Sequence, residues 1–219
     1  RWLQKSGYRV AVVPQPNWRD DLRDFRKLGA PRLYFGVNSG AMDSMVNHYT
    51  ANKRLRSDDA YTPDGRYGMR PDYPTIVYTQ ILKKLYPDVP VIVGGIEASL
   101  RRVSHYDYWQ DRLRPSILAD CGADLLVYGM GERSIREIAH RLDAGETIHT
   151  LRDIPQTAVI EPAELMPRES NEQHALLSSH EECLRDKRAE AANFRHIEEE
   201  SNKMHASRLI QKTGKLHVV

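Results

Sequence analysis

The feature that most constrains the fold is a short apolar run that ends in two glycines. Val91 to Val93 are three consecutive β-branched residues, and Gly94 and Gly95 follow directly. Because the run has no alternating polar face, it predicts a strand buried on both sides, as in a parallel sheet covered by helices. The glycines allow backbone angles that a side chain would block. Ligands in open α/β sheets bind beyond such strand ends, but an ordinary tight turn explains the same residues.

Further strand and helix signals flank this run and predict an α/β fold. Leu33–Val37 and Leu125–Tyr128 are apolar strand candidates, and Ile154–Ile160 predicts an edge strand because Pro155 stands near its start. Apolar residues recur at helical spacing over Tyr73–Tyr86 and after Glu132. Strands that alternate with helices in this way predict a doubly wound, mostly parallel, Rossmann-like sheet.

The amino-terminal residues predict one more unit and an earlier strand. Arg1–Ser6 has the pattern of a helix end with Gly7 as its stop, and Val10–Val13 predicts a strand. A helix that leads into a parallel strand normally follows another strand, so we expect the first strand of the sheet to lie upstream of this chain. Asp20–Leu28 predicts a further helix that ends at Gly29.

The turns after the predicted strands supply the candidate binding residues. Asn, Ser and Gly suit a turn that presents backbone N–H groups, and a glycine-rich turn before a helix can place an anion at the helix N-terminus. An acidic residue there repels phosphate, but it can accept a hydrogen bond from a ribose hydroxyl or cap its helix. Ordinary turns stay open as the alternative. The candidate cofactor-binding residues are Asn38, Ser39, Gly40, Gly94, Gly95, Glu97, Ser99, Gly129, Gly131 and Glu132.

Two connections are too long for simple crossovers, which usually take about 2–6 residues in α/β units. One runs from Gly40 to Pro74 and the other from Ile96 to Gly122. Their basic and aromatic residues suit a nucleic-acid backbone, a stacked base or cofactor, an interdomain surface or simply a solvated face. The residues concerned are Lys53, Arg54, Arg56, Arg101, Arg102, Tyr106, Tyr108 and Trp109.

Composition narrows the class of protein. Lys and Arg number 32 against 30 Asp and Glu, so net charge gives no global argument for nucleic acid or an anionic membrane. No apolar run approaches the roughly 20 residues of a membrane helix, and we expect no membrane partner. The sequence shows no secretory signal, and its two cysteines, Cys121 and Cys183, lie far apart. We therefore expect a reducing, cytoplasmic setting.

The last fifth of the chain differs from the rest. Residues 170–211 are highly charged and contain neither proline nor glycine, which predicts one or two long helices. His174 and His180 lie six residues apart, on different faces of a helix, which argues against a metal site. We expect residues 1–165 to form the Rossmann-like domain and residues 166–219 to form a helical connector.

Four blocks of the sequence together resemble a known family. Gly36–Thr50, Arg56–Pro63, Gly94–Arg102 and His105–Trp109 are similar to the amino-terminal domain of YgiQ-type radical SAM proteins. The blocks are long and specific, and the resemblance covers most of the chain. It implies that the chain is one part of a larger enzyme.

The family resemblance also implies cofactors. Members are expected to hold a 4Fe–4S cluster through a Cys-x3-Cys-x2-Cys motif in a following partial barrel, and to cleave S-adenosylmethionine to a 5′-deoxyadenosyl radical. Cys121 and Cys183 cannot form that motif, so the radical chemistry is expected outside this chain, which alone is not catalytic. The implied role is an accessory domain that covers the barrel, its partner, and shapes the site of a substrate that the resemblance does not name.

A more distant resemblance concerns cobalamin. Val93–Gly95 and Tyr128–Glu132 are similar to the cobalamin-binding-like domain, of flavodoxin-like fold, that precedes many radical SAM barrels. The Asp-x-His-x-x-Gly signature of cobalamin binding does not occur in the chain. A cobalamin or nucleotide carrier domain and an RNA-binding module therefore stay as alternatives. If the accessory-domain hypothesis holds, the residues expected at one edge of the sheet are Asn38, Ser39, Gly94, Gly95, Glu97, Ser99 and Glu132.

Overall fold

The computed structural model describes residues 1–171 and 173–219. Its strands are β1 (Phe35–Val37), β2 (Val91–Val93), β3 (His105–Asp107), β4 (Arg112–Arg114), β5 (Leu125–Val127), β6 (Thr157–Ala158), β7 (Ile160–Pro162), β8 (His174–Leu177), β9 (Arg208–Thr213) and β10 (Leu216–Val218). Its α-helices are α1 (Trp2–Lys5), α2 (Arg23–Arg26), α3 (Ser44–His48), α4 (Pro74–Leu85), α5 (Gly95–Leu100), α6 (Ile117–Cys121), α7 (Glu132–Asp143), α8 (His180–Arg185) and α9 (Lys187–Ser201).

The central sheet has the strand order β1-β2-β5-β6. Strand β2 pairs in parallel with β1 and β5, and β6 pairs antiparallel with β5 at the edge. Every residue of β2 and β5 is buried, as their unbroken apolar runs predict. The three predicted strands and the predicted edge strand are therefore confirmed. Strand β2 matches its apolar run, whereas β1, β5 and β6 are shorter than the predicted segments.

Helices cover both faces of this sheet because successive side chains of a strand point to opposite sides. Val91 packs in one apolar cluster with Leu82 of α4 and Leu118 of α6. Ile92, the next residue, packs in a second cluster with Ile138 of α7. The fold class is α/β with a mixed parallel and antiparallel sheet.

A second sheet contradicts the prediction that residues 170–211 form one or two long helices. Its order is β7-β10-β9-β8, with β8 and β9 parallel and the other pairs antiparallel. The predicted helical segment 170–211 contains α8 and α9, but strands flank them; residue 172 lies outside the described residues. Leu177 and Ile210 are buried in these strands. Their short apolar runs do not sustain helical spacing, which is why strand pairing prevails.

The amino-terminal predictions are only partly confirmed. Val10–Val13 forms no strand in the described chain, and Val12 is 80% exposed. An apolar run becomes a strand only when it finds a ladder partner, and none of the described strands pairs with this segment. The helix predicted over Asp20–Leu28 shortens to α2, because Leu22 has a left-handed backbone with φ of 59°.

Both long connections leave the sheet at the carboxyl ends of parallel strands. Residues 38–73 follow β1 and contain α3, and we call them the first insertion. Residues 94–116 follow β2 and contain α5 and the β3–β4 hairpin, and we call them the second insertion. No helix of the described residues is long and apolar enough to cross a membrane.

Candidate functional site

The two insertions enclose a group of buried charged side chains, which we call the buried charge network. Its members are Asp43, Asp59, Arg70, Glu97 and Arg101, each less than a tenth exposed. An isolated charge loses several kcal/mol of hydration when it is buried, so such groups persist only when they are paired and hydrogen-bonded. The partners of these five side chains therefore define how the insertions fold.

Glu97 holds the beginnings of two helices with one carboxylate. It is fully buried on α5, and its two oxygens accept the backbone N–H groups of Ser44 and Thr75, both at 3.1 Å. These residues stand in the first turns of α3 and α4, where N–H groups lack partners within the helix. A negative charge there also interacts favourably with the helix dipole. Glu97 thus fills, from within the chain, the kind of position in which α/β folds bind a phosphate.

Asp43 and Arg101 join the first insertion to the second. Asp43 caps α3 by accepting two backbone N–H groups of its first turn, and its other oxygen accepts a hydrogen bond from the Arg101 guanidinium. Arg101 also donates to the carbonyl of Glu97 at 3.1 Å and lies 5.5 Å from the ring centroid of Tyr73. Burial lowers the pKa of Arg101, but the bond to Asp43 and the negative charges of Asp43, Glu97 and Asp107 together outweigh burial and raise it. The Arg101 guanidinium therefore stays charged in the interior.

Asp59 and Arg70 fix the first insertion internally. Nε and Nη2 of Arg70 donate to the two Asp59 oxygens at 2.8–3.0 Å, and Asn47 Nδ2 (2.7 Å) and the Tyr61 N–H (2.9 Å) donate to the same carboxylate. Burial raises the pKa of Asp59, but these donors outweigh burial and lower it. Nη1 of Arg70 donates to the carbonyl of Ser39 at 3.1 Å. The same guanidinium therefore joins the start of the first insertion, directly after β1, to the end of that insertion.

His48 and Asp72 extend the network to the surface. Nδ1 of buried His48 lies 2.9 Å from Oδ1 of Asp72, whose other oxygen accepts the hydroxyl of Tyr49 at 2.7 Å. Nε2 of His48 lies 3.7 Å from Oδ2 of Asp59 and has no hydrogen-bond partner among the described residues. The hydrogen bond with His48 lowers the pKa of Asp72. Because its side chain is 41% exposed, Asp72 is the point at which the network reaches solvent.

Aromatic contacts join the insertions on their outer side. The rings of Tyr49 and Trp109 lie 5.3 Å apart, and those of Trp109 and Tyr108 lie 5.2 Å apart, edge to face. Nζ of Lys53 lies 4.7 Å from the Tyr108 centroid, and the Tyr108 hydroxyl donates to the carbonyl of Ala51 at 2.6 Å. Of the aromatic residues noted in the sequence, Tyr108 and Trp109 thus contact the first insertion, whereas the Tyr106 hydroxyl donates to Asp111 within the second insertion.

Two of the predicted glycines allow the loops to converge at the carboxyl edge of the sheet. Gly95 has φ of 80°, and a Cβ at this position would lie 3.2 Å from the Cβ of Asn38. The N–H of Gly94 donates to the carbonyl of Val37 at 3.0 Å, and a Cβ there would lie 3.2 Å from the carbonyl oxygen of Val127. The ends of β1, β2 and β5 therefore meet closely.

The predicted polar side chains at this edge are engaged within the chain. Asn38 accepts the N–H of Gly40 at 2.8 Å, while Ser39 and Ser99 donate to carbonyls of their own turns at 3.1 and 2.8 Å. Asn38 and Gly40 are exposed, whereas Ser39 and Glu97 are buried. A cofactor-binding role for these residues stays a prediction.

Packing shapes the glycine–methionine–glycine turn after β5. A Cβ at Gly131 would lie 2.6 Å from Cγ1 of Val127, and Gly129 has φ of 65°, so a side chain fits poorly at either position. Met130, between them, is 75% exposed. Glu132 is also exposed, in the first turn of α7, where its charge suits the helix dipole. The turn holds one apolar side chain outward at the carboxyl edge.

The basic residues considered for RNA do not form one available set. Arg101 is buried and paired, as described. Arg102 lies 5.1 Å from the ring centroid of Tyr128 and donates to a backbone carbonyl at 2.8 Å. Of the five basic residues considered for RNA, only Lys53, Arg54 and Arg56 are exposed.

The described residues do not fit an iron–sulfur cluster. They contain no group of three His, Cys, Asp or Glu side chains arranged to hold a metal ion. Cys121 and Cys183 are free and buried, and burial raises the pKa of Cys121 to about 11 and raises that of Cys183 as well. A 4Fe–4S cluster requires several thiolates that converge on one point, and two separate protonated thiols do not provide them.

Composition and spacing do not identify the residues that organise this site. Asp43, Asp59, Arg70, His48 and Asp72 stand in polar, turn-rich sequence that is typical of a solvated loop. Two signals point the other way: the length of the insertion, and an Asp directly before an apolar helical pattern, which suits an N-cap. Neither signal predicts which acidic side chain pairs with which basic side chain.

The sequence matches the family model described as Radical SAM N-terminal over residues 1–219. The chain belongs to the radical SAM N-terminal family. This radical SAM N-terminal chain is 65% identical over 220 residues to a UPF0313 protein of Porphyromonas gingivalis. It is 50% identical over 214 residues to a UPF0313 protein of Geobacter sulfurreducens and 56% identical over 160 residues to the UPF0313 protein YgiQ of Escherichia coli. The resemblance to the YgiQ-type family is confirmed.

The radical SAM N-terminal chain spans about a third of the length of the curated relatives it matches. The whole chain aligns with the P. gingivalis protein and covers 34% of that protein's length. For the G. sulfurreducens protein, 98% of the chain aligns and covers 35% of the relative's length. The E. coli protein is matched by 73% of the chain, over 22% of its length. No solved structure matches the chain.

Proposed function

We propose that this chain is the accessory domain of a radical SAM enzyme and that the edge built by its two insertions faces the substrate site. The family match and the threefold greater length of the relatives support a role within a larger protein. One observation supports the placement of this edge at the substrate site. The buried charge network holds both insertions in one arrangement at the carboxyl ends of parallel strands, where ligands bind in open α/β sheets.

The proposal assigns the radical chemistry to the rest of the full-length protein, in a cytoplasmic setting. Bound to its own thiolates, a 4Fe–4S cluster supplies the electron that cleaves S-adenosylmethionine. This chain contributes position and shape. Its exposed polar groups include the loop at Asn38 and the carboxylate of Asp72, which His48 and Tyr49 orient. Three parallel strands with helices on both faces support a Rossmann-like domain within residues 1–165.

The alternatives find less support in the same geometry. A nucleotide carrier would need a free anion position near the strand ends, and Glu97 fills the beginnings of α3 and α4 with its own carboxylate. A cobalamin carrier finds no Asp-x-His-x-x-Gly signature in this chain. An RNA-binding module would lose Arg101, which is paired with Asp43 in the interior. The accessory-domain function is therefore the one that the site supports best.

The test uses the full-length protein that carries this chain. After anaerobic reconstitution, the visible spectrum reports the cluster and chromatography reports 5′-deoxyadenosine. Asp72→Ala is compared with Asp64→Ala, which removes another exposed carboxylate of the first insertion. Among the described residues, the ion-pair partner of Asp64 is the exposed Arg66. We expect normal cluster content in both variants, and at least about tenfold slower 5′-deoxyadenosine formation only in Asp72→Ala, because misplacing one reactant group has effects of this size.

Two results would overturn the proposal in different ways. A full-length protein that gains no cluster and cleaves no S-adenosylmethionine removes the enzyme assignment. Cleavage that is equally fast in Asp72→Ala and Asp64→Ala keeps the enzyme but removes the placement of this edge at the substrate site.

A further inference from the structure

We infer that three exposed apolar side chains at the carboxyl edge form the surface against which the rest of the full-length protein packs. They are Ile96, Leu100 and Met130, and we call them the apolar rim. The inference rests on the proposed function, because its occupant is the part of the polypeptide that this chain does not cover. It adds which side chains make the contact.

Helix α5 presents two members of the rim. Ile96 and Leu100 lie four residues apart and so share one face of the helix. They are 44% and 58% exposed, while Glu97 and Ala98 between them are completely buried. The Glu97 carboxylate and the Arg101 bond to its carbonyl hold the helix from below. The exposed apolar face is therefore part of a fixed element and not of a loose loop.

The turn after β5 presents the third member. Gly131 packs so closely on Val127 that a side chain does not fit, and Gly129 takes a left-handed φ, so the turn has one defined course. That course leaves Met130 in solvent. Methionine is unbranched and adapts to irregular partner surfaces, which suits a contact residue.

The two halves of the rim lie at the same end of the sheet. Helix α5 packs against β5, and Met130 stands three residues after the end of β5. Arg102, just beyond α5, lies over the ring of Tyr128, which directly follows β5. Gly95, the first residue of α5, lies so near the loop after β1 that a Cβ on it would be 3.2 Å from the Cβ of Asn38. Covering the rim therefore brings the polar loops of the proposed site to the same interface.

The size of the relatives identifies the occupant. The chain covers 34% and 35% of two of them, so about two-thirds of each lies beyond its alignment. Domains of one polypeptide commonly bury about 600–1,500 Å² against each other, and contiguous exposed apolar side chains mark such contacts. Exposed apolar residues also occur on the second-sheet side, for example Leu184 on α8. That residue serves as the matched control.

The experiment places a photo-crosslinking residue in the full-length protein. p-Benzoylphenylalanine replaces Met130, Ile96 or, as the control, Leu184, and peptides are sequenced by mass spectrometry after irradiation. We expect positions 130 and 96 to crosslink within one molecule to peptides outside residues 1–219, at least about fivefold more than position 184. Crosslinks from 130 and 96 between two molecules, or yields no higher than at 184, would overturn the inference.

Hydrogen exchange of charge variants gives an independent readout. We expect Met130→Glu and Ile96→Glu to raise amide exchange by about tenfold or more in segments outside residues 1–219 that Leu184→Glu leaves unchanged, because a carboxylate opens an apolar contact. Unchanged exchange in both rim variants would contradict the docking surface. Failure here is separable from failure of the proposed function. Crosslinks without S-adenosylmethionine cleavage keep the rim and remove the enzyme, whereas cleavage without crosslinks does the reverse.

Discussion

The central sheet and the insertions above it are held together by opposite kinds of interaction. All residues of β2 and β5 are apolar and at most 4% exposed, and burial of such surface stabilises by roughly 25 cal/mol per Å² regardless of direction. The insertions instead bury carboxylates and guanidinium groups. A buried ion pair contributes little compared with an apolar pair of equal size, but losing one partner is costly. The sheet therefore supplies stability, and the network selects one arrangement of the insertions.

The largest loss of stability is expected when one buried charge of the network loses its partner. Asp59→Ala removes the carboxylate that binds Arg70, which is only 5% exposed. We expect the free energy of unfolding to fall by about 3–5 kcal/mol, because the guanidinium is then buried and unpaired. Urea unfolding followed by circular dichroism measures the loss. The exposed neighbour offers a control, since Asp58→Ala is expected to change stability by less than about 0.5 kcal/mol.

Replacing both partners sharpens the same point. The double variant Asp59→Leu/Arg70→Met is expected to recover most of the stability lost in Asp59→Ala, since apolar groups of similar volume can substitute for a buried pair. If the double variant is as unstable as Asp59→Ala, the Asp59–Arg70 pair contributes net stability. The claim that the sheet supplies the stability and the network only selects the arrangement of the insertions is then wrong.

A cavity in the sheet is expected to be nearly as damaging. Leu126 is fully buried in β5. It has no charged partner, so no second substitution of the kind used for Asp59 and Arg70 could restore the stability lost on its truncation. Leu126→Ala is expected to lower the free energy of unfolding by about 2–5 kcal/mol through lost transfer energy and the cavity left behind. The same deletion at the exposed Leu28 should cost far less. Similar losses at both positions would contradict the apolar account of the sheet.

Glu97→Gln tests the junction between the two regions with a smaller change. The amide keeps one acceptor but loses the charge, and hydrogen bonds to charged groups contribute about 1.5–3 kcal/mol. We expect a loss of that size, together with faster amide exchange at Ser44 and Thr75. Glu132→Gln, an exposed acid in the first turn of α7, should cost at most about 1 kcal/mol. Unchanged exchange at both amides would show that the carboxylate does not hold the helices.

A pH dependence of stability is expected from the β3–β4 hairpin. Burial lowers the pKa of His105 to about 4 from an ordinary value of 6.5. Between these values the unfolded chain binds a proton that the folded chain does not, so the contribution to stability is full above pH 6.5 and declines as pH falls to about 4. His105→Gln should flatten that decline in urea unfolding measured from pH 7 to 4.5. An identical slope in the variant would exclude His105 as its source.

The sequence predicts structure well where a local apolar pattern decides it. The unbroken runs of β2 and β5 and the helical spacing of α4 and α7 depend on residues close in the chain, and all four elements form as expected. The convergence of Gly95 with the loop after β1 also follows from a parallel sheet, because carboxyl ends of parallel strands share an edge.

Prediction fails where the deciding partner is distant or absent. Val10–Val13 has the pattern of a strand but no strand to pair with among the described residues. Residues 170–211 have helical composition, yet β8 and β9 find each other across thirty residues and form a parallel pair. The buried charge network is the extreme case, because nothing local distinguishes Asp59, which is buried, from Asp58, which is exposed.

The carboxylate of Glu97 has a consequence for the order of folding. Its partners lie 53 and 22 residues before it, so both helices are synthesised before the group that completes their first turns. At about 5–20 residues per second, the ribosome adds residue 97 roughly 3–11 s after residue 44. Closing so long a loop also costs entropy that only the paired strands β1 and β2 offset. Glu97 therefore closes the beginnings of α3 and α4 only after β1 and β2 have been made, and before β5 and β6 complete the sheet.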